Sequence, residues 1–391
     1  MRMAATAGAD RTWYSVAGAT LPVMAGILSA APRGATLLVD RAVHRSVLGA
    51  LVIGGYRVRW MYPPLIKAGL PLPLADLPAD LAGATGVVLT RPTYDGLTAP
   101  IDAMVKRAHA ADIPVVVDEA HGSHWRGAEY PRSALSSGAD VVAHGVHKSE
   151  AALTQTGLLH LQGSRVSGDA IDRWWRLLST SSPSYLLLGS LDRLQWERRH
   201  PSFAEDWDRL AFDMRRLWDT LQNRGLTVLQ AWAQGQGWSV DPARLTLIGD
   251  GLELKNKLAP VGTVEKVTSH SCTLFLAPGQ PLQEIIAALA NAVAVDASPW
   301  LDIVPYPVLV TAMTVREAMT REGQWISVAE AAGRVLADAI TPYPPGIPMA
   351  VPGEVMSVEG VQWLREWIDL GSGMVHGIKM KGGNWAVWVV Q

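Results

Sequence analysis

The most informative part of the chain is Val115-Val116-Val117-Asp118-Glu119-Ala120-His121, an apolar run that ends in Asp-Glu-Ala-His. A second apolar run follows and ends in His147-Lys148, which places Lys148 thirty positions after Asp118. In open α/β sheets, the residues that follow parallel strands lie at one edge, where ligands bind. A carboxylate beside the pyridine nitrogen and a lysine bonded to the aldehyde are the two groups that hold pyridoxal phosphate (PLP). The pattern therefore predicts a PLP site at these two residues.

The bulk composition supports a globular protein and argues against several other classes. Of the 391 residues, 49% are apolar and 18% are charged, which argues against disorder. The net charge of −2 gives no indication of a nucleic-acid or membrane partner. No apolar run is long enough for a membrane span, and residues 1–10 lack the features of a signal peptide. The single cysteine, Cys272, suits a reducing compartment, so we expect a cytoplasmic protein.

The first part of the chain alternates short apolar strands with helical stretches, which is typical of a mainly parallel sheet covered on both faces. Predicted strands are 13–16, 35–39, 57–61, 86–90, 114–118, 140–143 and 157–161. Predicted helices between them are 21–30, 44–54 and 101–111. We assign residues 1–224 to this large α/β domain, which ends in one or two helices over 185–224.

Residues 225–391 are predicted to form a smaller α+β domain. Its predicted strands are 244–248, 264–267 and 273–276, and its predicted helices lie near 282–294 and 327–340. The segment 342–348 is too rich in proline for regular structure and is predicted to be a rigid extended loop ending at 352–354. A structural connector and a segment near the active site are both open interpretations of this loop.

The chemistry of PLP explains the two key residues. Decarboxylation of an amino acid leaves electrons on Cα, and the protonated ring of PLP takes them up. Asp118 would keep the ring nitrogen protonated, although a helix cap or a loop carboxylate is the alternative. Lys148 needs burial or a cationic neighbour to act as a nucleophile, and the preceding strand supplies burial. The alternative is an ordinary surface lysine.

Histidines and a glycine turn complete the predicted site. His44 follows a strand and could stack on the cofactor ring or simply cap a helix. His121 and His147 could touch the cofactor or substrate, or support Asp118 and Lys148. Gly18-Ala19-Thr20 offers a glycine, backbone N–H groups and a hydroxyl for the phosphate, as many strand-to-helix turns do. A metal site built on His121, His124 and Glu119 is rejected, because no further ligand with suitable spacing is evident.

These residues lie in blocks that resemble the Orn/Lys/Arg decarboxylases of the PLP-dependent transferase-like class (fold type I). The resemblance covers nearly the whole chain and is most specific at Asp-Glu-Ala-His-Gly and His-Lys. The matching blocks are residues 8–13, 40–47, 117–124, 147–148, 153–160, 181–187 and 342–354. It implies a cytoplasmic homodimer or higher homo-oligomer, with arginine, lysine or ornithine as the substrate and agmatine, cadaverine or putrescine as the product.

The resemblance also implies roles by position. Lys148, Asp118 and His44 are implied as catalytic residues, with His44 stacking on the ring. Thr20 and the Ala19 amide are implied for the phosphate, Ala120 as the small residue against the ring, and Glu354 for the basic side chain of the substrate. The implied cofactor contacts are Ala19, Thr20, His44, Asp118, Ala120, His121, His147 and Lys148.

The chain departs from the family pattern at three places. Gly145-Val146 and Ala19 replace hydroxyl residues, so we expect weaker phosphate binding. The family has extra residues before the block that matches 8–12, including a segment that helps to build the substrate end of the site. A non-catalytic paralogue that keeps the fold as a scaffold or regulatory subunit is therefore a second hypothesis. A PLP enzyme of another reaction type, such as an aminotransferase or an eliminating lyase, is a third.

Overall fold

The computed structural model describes residues 2–292, 294–343, 346–370 and 374–391. A seven-stranded sheet forms the centre of the first part of the chain. In spatial order its strands are Arg11–Ser15, Gly157–Leu161, Val141–His144, Val115–Asp118, Ala84–Thr90, Thr36–Asp40 and Arg57–Met61. Gly157–Leu161 runs antiparallel to both of its neighbours, and the other pairs are parallel. The predicted mainly parallel sheet is confirmed, with each strand within two residues of its predicted bounds.

Helices cover both faces of the sheet. Alternate valines of one strand point to opposite faces, so both sets are buried. Val116 packs in an apolar cluster with helices Thr20–Ala30 and Arg45–Gly54. Val115 and Val117 pack on the other face with helix Asp102–Ala110. Further helices of the described residues are Arg2–Ala7, Gly168–Leu178, Tyr185–Glu197, Pro201–Gln222, Leu229–Gly235, Gly251–Leu258, Leu282–Ala288, Val315–Thr320 and Val358–Leu370.

Two smaller antiparallel sheets follow in the chain. The first contains, in spatial order, Thr227–Val228, Arg244–Ile248, Ser271–Phe275 and Val264–Thr268. The second contains Gly323–Ser327, Asn384–Val390 and Ile378–Lys381. Short strand pairs and triplets complete the structure: Leu97–Thr98 with Ser239–Val240; Ile303–Val304, Leu65–Ile66 and Leu70–Pro71; and Thr341–Tyr343 with Met374–His376. The domain boundary after residue 224 falls between a helix and the first of these sheets and stays a prediction.

The predicted helix over 327–340 is wrong. Only Val328–Glu330 forms a short 3-10 helix, and Gly333 adopts a φ of +78°. Beyond this glycine, Val335 and Leu336 form isolated bridges with Val355 and Val389. Pairing with distant segments therefore overrides the helical preference of the alanine-rich sequence.

Three smaller differences concern element bounds. Helix Gly168–Leu178 was not predicted, and the helix predicted near 282–294 ends at Ala288. Pro342 and Tyr343, which were predicted to lie in an extended loop, belong to strand Thr341–Tyr343. Residues 344 and 345 of that predicted loop lie outside the described residues. No helix in the described part of the chain has the length and apolar character needed to cross a membrane.

Candidate active site

A cavity of about 820 Å³ opens at the carboxyl ends of four parallel strands of the central sheet. Asp40, Thr90 and Asp118, each the last residue of its strand, line this cavity. The structure brings together all eight residues predicted to contact a cofactor: Ala19, Thr20, His44, Asp118, Ala120, His121, His147 and Lys148.

Asp118 is held at the floor of this cavity by its own strand end. Its side chain is 5% exposed, and Oδ1 accepts a hydrogen bond from the Ala120 amide at 3.1 Å. Burial raises the pKa of Asp118, while the charge of Lys148 and the Ala120 hydrogen bond oppose this shift. A buried carboxylate of this kind is stabilised by any cationic group that enters the cavity beside it.

Lys148 ends the 3-10 helix Val146–Lys148, directly after the strand beside that of Asp118. Its Nζ lies 2.9 Å from Nε2 of His121. Burial lowers the pKa of Lys148; Asp118 opposes this shift, and Arg244 adds to it. The lysine is therefore closer to its neutral, nucleophilic form than a surface lysine is.

The structure shows one of the two alternatives that its sequence position left open for His44. Its side chain caps helix Arg45–Gly54, since its Nδ1 accepts a hydrogen bond from the Ser46 amide at 3.2 Å. The same ring lines the cavity. Burial lowers the pKa of His44 to about 4, and Lys148 and Arg45 act in the same direction. His44 therefore presents a neutral ring to the cavity at neutral pH.

The turn Gly18-Ala19-Thr20 lies at the start of helix Thr20–Ala30, and all three residues line the cavity. The turn is fixed by Gly18 N, which donates to the carbonyl of Gln155 at 2.7 Å. His147 lies beside it, with Nδ1 2.6 Å from the carbonyl oxygen of Thr156. Since a carbonyl only accepts, Nδ1 of His147 carries the proton.

Gly145, which was predicted to replace a hydroxyl residue, has little space around it. A Cβ at this position would lie 3.0 Å from the carbonyl oxygen of Ala120 and 3.3 Å from Cδ of Lys148. A side chain at position 145 would therefore crowd the backbone of Ala120 and the side chain of Lys148.

Glu354 does not line the cavity, in contrast to its predicted substrate role. It is fully buried, and its carboxylate accepts hydrogen bonds from Arg41 at 3.0 and 3.3 Å and from the Val351 amide at 2.9 Å. Because Arg41 and Val351 already occupy the carboxylate, the position of Glu354 supports a structural role. Tyr343, Gly346 and Ile347 of the proline-rich block do line the cavity.

The sequence analysis did not identify three residues in or next to the cavity: Tyr94, Arg244 and Glu265. Glu265 lines the cavity, and Tyr94 donates to its Oε2 at 3.2 Å. Arg244 lies behind His121, with Nη2 2.8 Å from Nδ1 of that ring. Glu265 and Arg244 come from the first smaller sheet, far along the chain from the motifs, and no local pattern marks them.

The three residues of the rejected metal site have other partners. His124 Nε2 lies 3.1 Å from Asp241, and Glu119 contacts His144 at 3.0 Å. The chemistry of the cavity instead fits PLP. An amine and a carboxylate line one cavity, and the first residue of helix Thr20–Ala30, which carries a hydroxyl, lines the same space.

Comparisons with known proteins agree with this geometry. The model of the Orn/Lys/Arg decarboxylase major domain matches residues 2–248, and that of the C-terminal domain of the same family matches residues 298–389. The chain belongs to the Orn/Lys/Arg decarboxylase family. This family consists of PLP-dependent amino-acid decarboxylases, so the predicted family, cofactor and enzyme class are confirmed.

Individual relatives in this family match most of the chain. An arginine decarboxylase of Bacillus subtilis is 30% identical over 93% of this chain and 79% of its own length. An arginine decarboxylase of Bacillus anthracis is 29% identical over 94% of this chain and 80% of its own length. The solved structure of the constitutive lysine decarboxylase of E. coli superposes with a TM-score of 0.82 at 20% identity and covers 100% of this chain and 72% of that one. This likeness confirms the fold type I architecture.

Proposed function

We propose that this member of the Orn/Lys/Arg decarboxylase family removes carbon dioxide from a basic amino acid: arginine, lysine or ornithine. The observation that carries the proposal is a single cavity that contains Lys148, Asp118 and the acidic side chain of Glu265. Arginine is the first substrate to test, because several relatives near 30% identity are named arginine decarboxylases. The product would then be agmatine.

The residues of the chain divide the work of this reaction. Bound PLP supplies the electron sink that decarboxylation at Cα requires. Asp118 would hold a proton at the pyridine nitrogen, since its burial makes such a charge pairing strong. Lys148 would bond to the cofactor in the resting enzyme and would return a proton to Cα after carbon dioxide leaves. His44 would restrain the cofactor ring, and Ala120 would leave room for it.

Glu265 would contact the cationic end of the substrate. Its carboxylate is partly buried, lines the cavity and is oriented by the Tyr94 hydroxyl. A hydrogen bond from a guanidinium or ammonium to a carboxylate is stronger than one between neutral groups. The same cavity would therefore select basic over neutral amino acids.

We further propose that the protein works in the cytoplasm as a homodimer or higher homo-oligomer. Two large apolar side chains on helix Tyr185–Glu197 support the assembly, since Tyr185 is 86% and Leu186 is 79% exposed. The location is supported by the single, buried cysteine, Cys272, which suits a reducing compartment.

The test measures carbon dioxide release by the purified protein with PLP, separately for arginine, lysine and ornithine. Lys148→Ala is expected to abolish both the release and the visible absorbance of bound PLP, whereas Lys381→Ala at an exposed position retains both. Glu265→Gln is expected to raise KM for the basic substrate by about tenfold or more, because a hydrogen bond to a charged group contributes about 1.5–3 kcal/mol.

Two outcomes would contradict the proposal. A wild-type protein that binds PLP but releases no carbon dioxide from any of the three substrates would be a non-catalytic paralogue. Formation of a keto acid in place of carbon dioxide would identify an aminotransferase.

A further inference from the structure

His121 lies between the side chains of Arg244 and Lys148 at the back of the cavity. Nη2 of Arg244 is 2.8 Å from Nδ1 of the ring, and Nζ of Lys148 is 2.9 Å from Nε2. Both contacts are within hydrogen-bond distance, so each nitrogen of the ring has one partner. The ring is also oriented by Tyr94, whose ring centroid lies 5.1 Å away in an edge-on arrangement.

The donors and acceptors of this chain allow only one arrangement of protons. A guanidinium has donors and no acceptor, so Nδ1 of His121 must accept from Arg244. Burial lowers the pKa of His121 well below its usual value, and Lys148, Arg244, His44 and His147 act in the same direction, so the ring is neutral. A neutral imidazole that accepts at Nδ1 carries its proton on Nε2. That proton points at Nζ of Lys148.

We propose that Arg244 is a positioning residue: by fixing the proton of His121 on Nε2, it makes His121 a donor to Lys148 and so holds the lysine as a neutral amine. An amine that accepts this hydrogen bond has its lone pair on nitrogen. A protonated lysine would instead face the Nε2 proton with one of its own. The inference deepens the proposed function, because the neutral amine is the form of Lys148 that bonds to the cofactor.

The surroundings of Arg244 suit this task. Its side chain is 1% exposed and lies 4.7 Å from the ring centroid of Phe275. Gly96 permits the close packing, since a Cβ there would lie 2.5 Å from Cγ of Arg244. Nε and Nη1 of Arg244 make no hydrogen bond within the described part of the chain. The hydrogen bond to His121 therefore orients the guanidinium of Arg244.

Other charged groups act on Lys148 as well. Asp118 and Glu265 favour its protonated form, whereas burial and Arg244 favour the neutral form. His44 and His147 line the same cavity and are neutral neighbours, since the pKa of each is lowered by burial. The hydrogen bond from His121 therefore acts against two carboxylates, and its loss should shift the balance toward the protonated lysine.

The experiment measures the pKa of Lys148 in the full-length protein without cofactor. The protein is labelled with limiting acetic anhydride at a series of pH values, and mass spectrometry follows acetylation of Lys148 relative to exposed Lys381. Arg244→Met removes the donor with a side chain of similar length, which frees the ring to accept from a protonated lysine. We expect the pKa of Lys148 to rise by about one unit, since a hydrogen bond contributes about 0.5–1.5 kcal/mol.

The same change should slow PLP capture near pH 7 by about tenfold, with the difference vanishing at high pH. Arg244→Lys keeps a cationic donor and should retain the low pKa. An unchanged pKa of Lys148 in Arg244→Met would overturn the proposal and leave Arg244 a purely structural role. These measurements need no substrate, so their outcome does not depend on decarboxylase activity. A protein that captures PLP but releases no carbon dioxide would contradict the proposed function and leave this inference intact.

Removal of the Arg244 charge also raises the pKa of Lys148, so a second test on the wild-type protein separates the hydrogen bond from the charge and does not depend on the folding of Arg244→Met. Nitrogen-15 NMR of histidine-labelled protein distinguishes a protonated from an unprotonated ring nitrogen, and His121→Gln assigns the signal. We expect the proton of His121 on Nε2. A proton on Nδ1 would overturn the proposal.

Discussion

His44 links the stability of a helix to the electrostatics of the cavity. Its Nδ1 caps helix Arg45–Gly54, and burial lowers its pKa to about 4. The unfolded chain therefore binds a proton on this residue between pH 6.5 and 4, where the folded protein does not. The stability associated with neutral His44 is present above pH 6.5 and is lost as the pH falls toward 4.

This loss can be isolated with His44→Asn, because asparagine is also a good helix N-cap but does not titrate. We expect the difference in free energy of unfolding between wild type and His44→Asn to fall by about 3 kcal/mol between pH 6.5 and 4. Urea unfolding of the cofactor-free proteins at both pH values measures it. Asp40, whose pKa burial raises to about 6, acts in the opposite direction and cancels in the comparison. A difference that does not change with pH would contradict the prediction.

The residues of the site could be predicted from sequence only where a motif is local. Asp118 and Lys148 each follow an apolar strand, and the rule for parallel sheets brings such positions together. Glu265 reaches the cavity and Arg244 reaches His121 from a different sheet, and nothing in their sequence neighbours marks them. Glu354 shows the reverse error, since a residue in a matching block is held by Arg41 and does not line the cavity.

The contact between strand Gly157–Leu161 and the Gly18 turn controls the predicted phosphate site. A Cβ on Gly157 would lie 2.4 Å from the carbonyl oxygen of Gly18, so any side chain there must displace the turn. We expect Gly157→Ala to weaken PLP binding by about tenfold or more, since overpacking costs about 1–3 kcal/mol. An absorbance titration of the cofactor-free protein measures the affinity.

Gly189→Ala is the matched control for this change. Gly189 lies within helix Tyr185–Glu197, and a Cβ there would meet no atom within 4 Å. Alanine is the better helix former, so this variant should bind PLP normally and be at least as stable as the wild type. Equal PLP affinity in the two variants would refute a role for the contact at Gly157.

The inner strands of the central sheet were predictable because they are short, buried, mainly apolar runs between turns. The segment 327–340 was not, although its residues favour a helix. Gly333 with a φ of +78° turns the chain, and Val335 and Leu336 pair with segments that are distant in sequence. Long-range pairing of this kind leaves no periodic signal in the segment itself.

The proposed assembly would depend on the exposed apolar surface at Tyr185 and Leu186. In a two-fold dimer, both copies of each side chain would be buried at the interface. Full burial of one leucine contributes about 1.5–3 kcal/mol. We expect Leu186→Asp to shift the protein toward monomers in sedimentation velocity experiments. Leu252→Asp, at a 53% exposed leucine on helix Gly251–Leu258, should leave the assembly unchanged. Dissociation by the second change and not the first would place the interface elsewhere.

The buried ion pair of Arg41 and Glu354 connects an early segment of the chain with a late one. Arg41 also donates to the carbonyls of Pro348 and Met349 at 2.8 and 3.2 Å. Loss of one member of such a pair strands the other charge, at a cost of about 3–5 kcal/mol. In gene shuffling among relatives, a crossover between the codons for these two positions would combine Arg41 from one parent with position 354 from another. Parents that do not both encode this pair should yield few viable recombinants, so a library design should keep the two positions in one inherited block.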